Sequence, residues 1–366
     1  MSGEIRKRKA EHLELAGSGP VEPPSGPGWD DVELVHEALP EVAADEVELG
    51  VELLGRRLQL PLVIAGMTGG HPGAAELNAA LGRAAERHGC AVGVGSQRAA
   101  LLDPSLEPTY AALREAAPGA FLIANIGAAQ LIPQGDRPAL GRAEVERLIA
   151  MVDADALAVH LNFLEEAVQP EGDRAVRGCA EAIAALADGL PVPLIVKETG
   201  AGMHEGTARR LAGLGADALD VGGAGGTSFA LVERLRAERQ GDARGVRLGS
   251  LLGDWGIPTA AAVASCSRAG LPVIATGGVR SGLDAAKALA LGATAVGVAR
   301  PLLQAAQSEA DGPSRWVDDF ALELRTVLML TGCRRATDLA ERPRVLGGRV
   351  GRWIEALERA PLGAAP

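Results

Sequence analysis

From residue 61 onward, short apolar runs alternate with segments in which apolar residues recur at helical spacing, such as "AELNAALGRAAERHG" and "GLDAAKALALGA". Each apolar run ends in a glycine-rich or polar tip. The eight runs are "PLVIAGMTGG" (61–70), "CAVGVGSQR" (90–98), "FLIANIGAAQ" (121–130), "ALAVHLN" (156–162), "PLIVKETGAG" (193–202), "ALDVGGAGGTS" (218–228), "PVIATGGVRSG" (272–282) and "AVGVARPLL" (295–303). Alternating strands and helices predict a parallel sheet, and continuously apolar strands predict burial on both of its faces.

Eight strand–helix units are what a closed (β/α)8 TIM barrel requires, and a doubly wound open sheet is the competing α/β arrangement. The polar tips follow the carboxyl ends of the strands, where barrel enzymes keep their sites, and this favours the barrel. The long interval before the seventh strand contains "SLLGDWGIPTAAAVASC", which predicts a functional loop followed by a helix. Residues 313–360 are predicted to be helical and to close the barrel or pack beside it.

Residues 1–60 lack this rhythm. "IRKRKAEHLELA" is a charged segment that favours a helix, and the Pro/Gly linker "GSGPVEPPSGPG" follows it. The next stretch, from "WDDVEL" to "RRLQL", predicts an irregular lead-in with a hairpin. We therefore divide the chain into an N-terminal extension (1–60) and a barrel with C-terminal helices (61–366).

Composition removes several classes of function. Hydrophobic residues make up 47% of the 366 positions, enough for a large core, but aromatic residues make up only 2%. So few aromatic side chains argue against a carbohydrate platform or a single-strand nucleic-acid binder. The formal charge of −11 also disfavours nucleic acid as a partner, although a local basic pocket can still bind an acidic substrate.

The cysteines and the N-terminus indicate the compartment. Cys90, Cys179, Cys266 and Cys333 lie far apart and form no CxxC pair, which predicts reduced, buried thiols and disfavours zinc or disulfides. The chain has no signal-like apolar segment, and no run reaches the ~18 apolar residues of a membrane span. We expect a soluble, cytoplasmic protein.

The last two predicted strands end in loops suited to a phosphate. "TGGVRSGLDAAKAL" supplies Gly277, Gly278 and Arg280 before a helix, and "VGVARPLL" supplies a second turn of this kind. Loops after strands seven and eight of such barrels commonly cradle a phosphate, because backbone N–H groups and a helix N-terminus favour the charge. The phosphate bound by such loops most often belongs to flavin mononucleotide (FMN). The alternative is that the two loops are plain tight turns that bind no ligand.

A lysine ends the fifth predicted strand, where burial is costly without a partner. Lys197 is suited to pair with an anionic flavin edge, to form a Schiff base, or to make a salt bridge with Glu198. The phosphate loops favour the flavin. The glycine-rich "DVGGAGGTS" on the same rim supports that preference.

A second group of basic residues is suited to an anionic substrate. "RKRKAEH" (6–12) is interpreted either as a solvated helix end or as a segment that folds over the barrel mouth. In the second case Arg8, Lys9 and His12 would join Arg98 of "GSQR", since arginine is suited to bidentate phosphate contacts. Two phosphate sites, one for cofactor and one for substrate, would then lie inside an acidic protein.

Opposite them, the fourth strand tip carries acids. His160 and Asn162 point to one side because strand side chains alternate, and Glu165 and Glu166 follow directly. Carboxylates that face a diphosphate suit Mg2+, which bridges protein carboxylates to phosphate oxygens. The alternatives are that Glu165 and Glu166 lie at a solvated helix start and that His160 has a structural role.

Taken together, "RKAEHL", "MTGG", "GSQRAAL", "NIGAAQL", "EEAVQPEGD", "VKETGAGM", "DWGIPTA" and "GGVRSGLDAAKALALGA" resemble the type 2 isopentenyl diphosphate isomerases over roughly residues 5–340. The resemblance implies a cytosolic FMN-dependent barrel that interconverts isopentenyl and dimethylallyl diphosphates with reduced flavin and Mg2+. It further implies NADPH as reductant and a homotetramer or homo-octamer, with the N-terminal segment helping to close the site.

The resemblance also assigns roles to residues that match its motifs. Substrate contacts would be Arg8, Lys9, His12, Ser96, Gln97 and Arg98. Flavin contacts would be Gly66, Met67, Thr68, Ser96, Asn125, Lys197, Thr227, Gly277, Gly278, Arg280, Ala299 and Arg300. His160, Asn162 and Glu165 would be catalytic, and Glu166 would hold the metal.

Two positions depart from the family pattern. Phe163 stands where the family has Pro, and Glu165 stands where it has Gln. Glu165 can titrate, and neighbouring negative charges should raise its pKa, so that it acts as an acid when protonated or as a base when ionised. Phe163 would reshape the pocket for another allylic substrate or product.

These departures keep further functions open. The first is a paralogue that performs another reduced-flavin, non-redox reaction on a different prenyl diphosphate, such as a double-bond shift or a cyclisation. An FMN-dependent 2-hydroxy-acid oxidoreductase shares the barrel and its phosphate loops, but "RKAEH" and "PEGD" argue against it. A flavin-binding protein without activity is the remaining alternative.

Overall fold

A computed structural model describes residues 2–359, with side chains from residue 8 onward. The predicted charged segment is a helix, α1 (Ser2–Ser18). After the linker come strand β1 (Val32–Leu34) and a hairpin of β2 (Val51–Leu53) and β3 (Arg56–Leu58), in line with the expected lead-in. Residues 360–366, assigned above to the barrel with its C-terminal helices, lie outside the described residues.

Eight parallel strands then close into a barrel. The strands are β4 (Leu62–Ile64), β5 (Ala91–Gly93), β6 (Leu122–Gly127), β7 (Ala156–Leu161), β8 (Leu194–Glu198), β9 (Ala218–Asp220), β10 (Val273–Thr276) and β11 (Ala295–Val298). Closure comes from β11 pairing with β4, with Val296 opposite Leu62. All eight predicted strands are present, and the TIM barrel is confirmed over the open sheet.

Helices surround the barrel and are rich in alanine on the sides that face it. They are α2 (Ala74–His88), α3 (Arg98–Leu102), α4 (Glu107–Ala116), α5 (Arg142–Met151), α6 (Phe163–Val168), α7 (Cys179–Ala187), α8 (Glu205–Gly213), α9 (Phe229–Gln240), α10 (Ala243–Leu252), α11 (Thr259–Cys266), α12 (Gly282–Ala290) and α13 (Arg300–Ser308). On α12, for example, Ala285, Ala286 and Ala288 are fully buried. The four cysteines are free and buried, as predicted.

The C-terminal segment is helical only in part, whereas residues 313–360 were all predicted to be helical. Helix α14 (Gly312–Leu330) is followed by strand β12 (Arg344–Leu346) and helix α15 (Gly348–Arg359). Gly332 adopts a φ of +65° after α14, a conformation that helix cannot continue. Strand β12 then pairs antiparallel with β1, so the C-terminal segment holds the N-terminal lead-in in place. Within residues 2–359 no helix is long and apolar enough to cross a membrane.

Candidate active site

One cavity opens at the carboxyl ends of the barrel strands, and it brings together every predicted site residue except Gln97. Helix α1 contributes to one wall of this cavity, and the strand tips contribute the rest. The predicted residues that line it are Arg8, Lys9, His12, Gly66, Met67, Thr68, Ser96, Arg98, Asn125, His160, Asn162, Glu165, Glu166, Lys197, Thr227, Gly277, Gly278, Arg280, Ala299 and Arg300. The geometry supports their common location, while their individual roles remain predictions.

The loop after β10 forms a narrow backbone cradle. Gly277 and Gly278 adopt φ angles of +124° and +68°, which other residues rarely adopt. A Cβ atom added to Gly226 would lie 2.6 Å from the backbone nitrogen of Gly278, so the two loops approach closely only because side chains are absent. Ser281 caps α12 by accepting a hydrogen bond from the Asp284 N–H (3.1 Å). These features suit the phosphate of a flavin.

Two arginines converge beside this cradle on the carboxylate of Glu22. The Glu22 Oε1 atom lies 2.7 Å from a terminal nitrogen of Arg280 and 3.0 Å from one of Arg300. The Nε atom of Arg300 is buried without a hydrogen-bond partner among the described residues. A carboxylate thus occupies the position of an anion, and the fit to a phosphate is good in charge as well as in shape.

The nearest acidic side chain to Lys197 is Asp220, and not the Glu198 of the salt-bridge alternative. Its Nζ atom donates to the backbone oxygen of Glu198 (2.8 Å) and lies 4.0 Å from the Asp220 carboxylate. The Glu198 carboxylate instead accepts backbone N–H bonds from residues 199–202 at 2.5 to 3.2 Å. Burial outweighs these bonds and raises the pKa of Glu198 to about 7. A side-chain salt bridge from Lys197 to Glu198 is therefore absent.

His160 is a buried neutral imidazole. Burial, with the charges of Lys197 and Lys9, lowers its pKa to about 3. The amide nitrogen of Asn125 donates to the Val94 oxygen (3.0 Å), so its amide oxygen accepts from His160 Nδ1 (2.8 Å). The proton consequently resides on Nδ1, and Nε2 is left as an acceptor.

Helix α1 brings Arg8, Lys9 and His12 of "RKRKAEH" to the mouth of the cavity, which favours the segment that folds over the barrel. Lys9 donates to Gly69 O (2.8 Å), Ser96 O (2.7 Å) and the Tyr110 hydroxyl (2.9 Å). Burial, followed by the charge of Arg8, lowers the pKa of Lys9 to about 7. Tyr110, the chain's single tyrosine, escaped the sequence reasoning because it lies on the outer helix α4.

Arg8 and Arg98 bind partners on the segment that follows α6. Arg98 pairs with Asp173 (2.8 Å), and Arg8 donates to the amide oxygen of Gln169 (3.0 Å). Arg137 makes a second ion pair with Asp173. The "QPEGD" motif therefore anchors the cationic wall.

The side-chain amide of Asn162 holds the two glutamates of the acidic wall, which follows β7. Asn162 Nδ2 donates to Glu165 (3.2 Å) and to Glu166 (3.0 Å), and the second oxygen of Glu166 accepts the Asp173 N–H (2.6 Å). Burial raises the pKa of the Glu165 carboxyl, and the charge of His12 offsets this only in part. Burial likewise raises the pKa of Glu166.

Phe163 lies on the other face of α6. It lines a separate groove together with Ala167, Pro170 and Leu248, and it is not among the described residues that line the main cavity. The expectation that Phe163 reshapes the substrate pocket by direct contact is not met, because the short helix turns residues 163 and 165 to different sides.

Sequence reasoning missed an acid that holds His12. Glu233 on α9 lies 2.6 Å from His12 Nε2 and also accepts from Gln169 (2.9 Å) and Arg236 (2.6 Å). Arg236 binds Glu11 and Glu171 as well, each at 3.0 Å. Charged residues on a helix usually indicate a solvated face, so the sequence pattern did not single out Glu233 or Arg236. The only signal for a function was that both lie in the long interval after β9.

Two places at the cavity wall could hold a cation, the group of His12, Glu165 and Glu233 and the carboxylate of Glu166. His12, Glu165 and Glu233 each offer one ligand atom within 4.8 Å of the others. Glu233 is already satisfied by three donors, however, whereas Glu166 borders the cavity next to the basic wall. Glu166 is therefore the better match for Mg2+, which takes one or two carboxylates together with phosphate oxygens.

Gln97 is a structural residue, which corrects its assignment as a substrate contact. Its side chain is fully buried, donates to Leu148 O (2.9 Å) and accepts from Asn125 N (3.0 Å). Both polar ends are used, and the residue does not line the cavity. The "SQR" motif thus contributes Ser96 and Arg98 to the cavity, and Gln97 fixes the strand that carries Asn125.

The barrel and its phosphate cradle define a flavin enzyme of the FMN-dependent dehydrogenase class, whose family model matches residues 150–345. The fold is similar to the lactate oxidase of Pediococcus acidilactici, with a TM-score of 0.65 and 17% identity over 95% of this chain and 94% of that one. A mandelate oxidase variant gives a TM-score of 0.56 and 20% identity over 94% and 96% of the two chains. These likenesses concern the fold alone.

Sequence relatives specify the family further. The isopentenyl-diphosphate delta-isomerase of Methanosarcina barkeri is 47% identical over 93% of this chain and 92% of its own length. Those of Halobacterium salinarum and Methanothermobacter thermautotrophicus are 45% and 44% identical, over 97% and 96% of both chains. The chain belongs to the FMN-dependent, type 2 isopentenyl-diphosphate delta-isomerases. It is an isomerase and an FMN flavoprotein.

Replacing Gln97 with Met should reduce stability without touching the substrate pocket. The change keeps the volume but leaves two buried backbone groups without partners, which costs roughly 2–4 kcal/mol. Denaturant unfolding measures this loss, and the exposed Gln240→Met on α9 serves as a control with an expected change below about 0.5 kcal/mol. Equal stability of the two variants would contradict the structural role.

Proposed function

We propose that this isomerase converts isopentenyl diphosphate to dimethylallyl diphosphate, with reduced FMN and Mg2+ as cofactors. The observation that carries the proposal is a single cavity with three chemically distinct walls: the anion cradle, the cationic wall of α1 and the acids after β7. The named activity of relatives at 44–48% identity supports it.

The phosphate of FMN would be held by Gly277, Gly278, Arg280 and Arg300, and Lys197 and Asn125 would face its ring. When bound and reduced, FMN supplies an electron-rich ring that stabilises positive charge on the isoprenoid. Lys197 keeps its own charge balanced through Asp220, 4.0 Å away. The remaining flavin contacts would come from Gly66, Met67, Thr68, Ser96, Thr227 and Ala299.

The substrate diphosphate would lie against Arg8, Lys9, His12 and Arg98, with Ser96 beside them. Glu166 would hold Mg2+, whose positive charge would offset the negative charge of the diphosphate. Fixing the charged end at this wall leaves the hydrocarbon end free to reach the barrel centre, which is an orientation effect. Leu13 and Phe229, which also line the cavity, give that end apolar contacts and exclude water.

Allylic isomerisation requires one proton delivered to the terminal alkene carbon and one removed from the carbon nearer the diphosphate. His160 Nε2 is an acceptor in this site, and the protonated Glu165 carboxyl would be a donor. Asn162 orients Glu165 through its 3.2 Å hydrogen bond. These three residues are our proposed catalytic group.

A second candidate is the same chemistry on a different prenyl diphosphate. A titratable carboxyl at Glu165, in place of the family amide, is the observation that favours it. An FMN-dependent 2-hydroxy-acid oxidoreductase has weaker support, since its likeness is limited to the fold at 17–20% identity.

The proposal includes NADPH as the physiological reductant, a cytoplasmic location and a homotetramer or homo-octamer in which α1 completes the cavity. Prenyl diphosphates would be its ligands, with neither nucleic acid nor membrane as partner. Light scattering on the purified protein measures the oligomeric state, and a monomer would contradict the proposed homotetramer or homo-octamer.

Purified protein with dithionite-reduced FMN, Mg2+ and isopentenyl diphosphate should form dimethylallyl diphosphate. We expect loss of product with oxidised FMN or after chelation of Mg2+, since both cofactors are required. Product analysis by mass spectrometry and NMR measures this. No dimethylallyl product would contradict the leading proposal, and turnover of another prenyl diphosphate alone would favour the second candidate.

The rate should depend on pH through Glu165. Its raised pKa keeps it protonated above the usual pH range of a glutamate, and the protonated acid is the form that can donate the proton. We therefore expect the wild-type rate to fall as pH rises through that pKa.

Glu165→Gln should flatten this limb and lower the rate at low pH by about 10²- to 10⁴-fold, because an amide keeps the bond to Asn162 but cannot donate the proton. Initial rates between pH 5 and 9 measure both effects. An unchanged limb in the variant would show that another group titrates, and isomerase activity gained only in the variant would favour the second candidate.

Diphosphate binding should take up a proton at Lys9. Its pKa of about 7 leaves the free side chain largely neutral at pH 8.5, and a nearby diphosphate should raise that pKa. Calorimetry in two buffers of different ionisation enthalpy should give uptake of on the order of one proton per substrate at pH 8.5 and little at pH 5.5. Lys9→Met should abolish the uptake, and equal uptake by the variant would contradict the assignment.

A further inference from the structure

The linker after α1 crosses the barrel mouth and is anchored on both sides of Glu22. On one side, the backbone oxygen of Gly19 accepts from Arg300 (2.8 Å) and that of Val21 accepts from Ser228 N (2.8 Å). On the other side, Pro27 O accepts from Ala260 N (3.1 Å). The backbone around Glu22 is therefore held by bonds that do not involve its carboxylate.

The carboxylate of Glu22 takes up donors that a phosphate would need. Arg280 uses one terminal nitrogen on Gly278 O (2.7 Å) and the other on Glu22 (2.7 Å). Arg300 uses one on Gly19 O and the other on Glu22 (3.0 Å), and only its buried Nε remains without a partner. An incoming phosphate must therefore displace Glu22 or share both arginines with it.

We propose that Glu22 is an internal occupant of the phosphate site, which competes with the FMN phosphate for Arg280 and Arg300 and so lowers the preference for FMN over phosphate-free flavin. The proposal rests on the placement of FMN given above. Nothing in that placement requires a carboxylate at this position, since Gly277, Gly278 and the two arginines already supply donors and positive charge.

The charge of Glu22 determines whether its side chain raises or lowers the affinity for the FMN phosphate. Partial burial alone would raise the pKa of Glu22, but its bonds to Arg280 and Arg300 lower it, so the group is ionised at neutral pH. A phosphate dianion close to an ionised carboxylate meets repulsion, and it also loses part of the charge of the arginines. Because the backbone is anchored independently, the side chain alone can rotate away.

The opposite role, in which Glu22 holds the arginines ready for the phosphate, predicts the opposite effect on affinity. The test compares FMN with riboflavin, which carries the same ring without the phosphate. Dissociation constants are measured by flavin fluorescence on full-length, flavin-stripped protein. Glu22→Gln is the variant, and Glu14→Gln is the control, since Glu14 pairs with the exposed Arg239 away from the cradle (2.7 Å).

Under the proposal, Glu22→Gln binds FMN about three- to tenfold more tightly, as expected for a partly exposed charge, and riboflavin unchanged. Inorganic phosphate should also raise the melting temperature of flavin-free Glu22→Gln more than that of the wild type. Glu14→Gln should match the wild type in both assays. A ratio of FMN to riboflavin affinity that is unchanged or lower in Glu22→Gln would overturn the proposal.

A second variant, Arg280→Ala, distinguishes failure of the Glu22 proposal from failure of the proposed FMN placement. If Arg280→Ala weakens FMN binding but leaves riboflavin binding unchanged, the phosphate site is correctly placed, and the Glu22→Gln result then decides the inference alone. If Arg280→Ala leaves FMN affinity unchanged, the placement is wrong and the inference falls with it.

Discussion

Closure of the barrel is the constraint on which the site depends. Strand β11 pairs with β4 across more than two hundred residues of sequence, and this joins the first and last barrel strands. All eight strands then point their carboxyl ends to one rim, so residues from each strand tip meet in one cavity. The alanine-rich helices make this possible because small side chains let helix and strand backbones approach closely.

Charge pairing organises that cavity inside an acidic protein. Asn162 joins two glutamates, Asp173 receives two arginines, and Arg236 joins Glu233 to acids on α1 and after α6. Such buried charges are tolerable only with partners, which ties the position of α1 to the acidic and cationic walls. The charge pairs that hold α1 in place therefore also shape the mouth of the cavity.

The comparisons separate fold from chemistry. Oxidases of lactate and mandelate share the barrel at 17–20% identity, while isomerases are 44–48% identical to this chain over most of its length. The same barrel fold thus accompanies different named activities. In this chain the helix after β7 places Glu165 at the cavity, whereas Phe163 on its other face lines a separate groove.

The sequence by itself determined the strands, the barrel, the glycine-rich loops at the strand ends and most cavity residues, because hydrophobic periodicity and glycine-rich turns are local patterns. It did not reveal the β1–β12 pairing, the buried role of Gln97 or the link from Lys197 to Asp220. Nor did it reveal Glu233 or the contact of Glu22 with two arginines. Each of these joins residues distant in sequence, or turns a polar side chain inward where local pattern indicates solvent. Only the tertiary structure decides such contacts, since burial and charge partners depend on which segments meet.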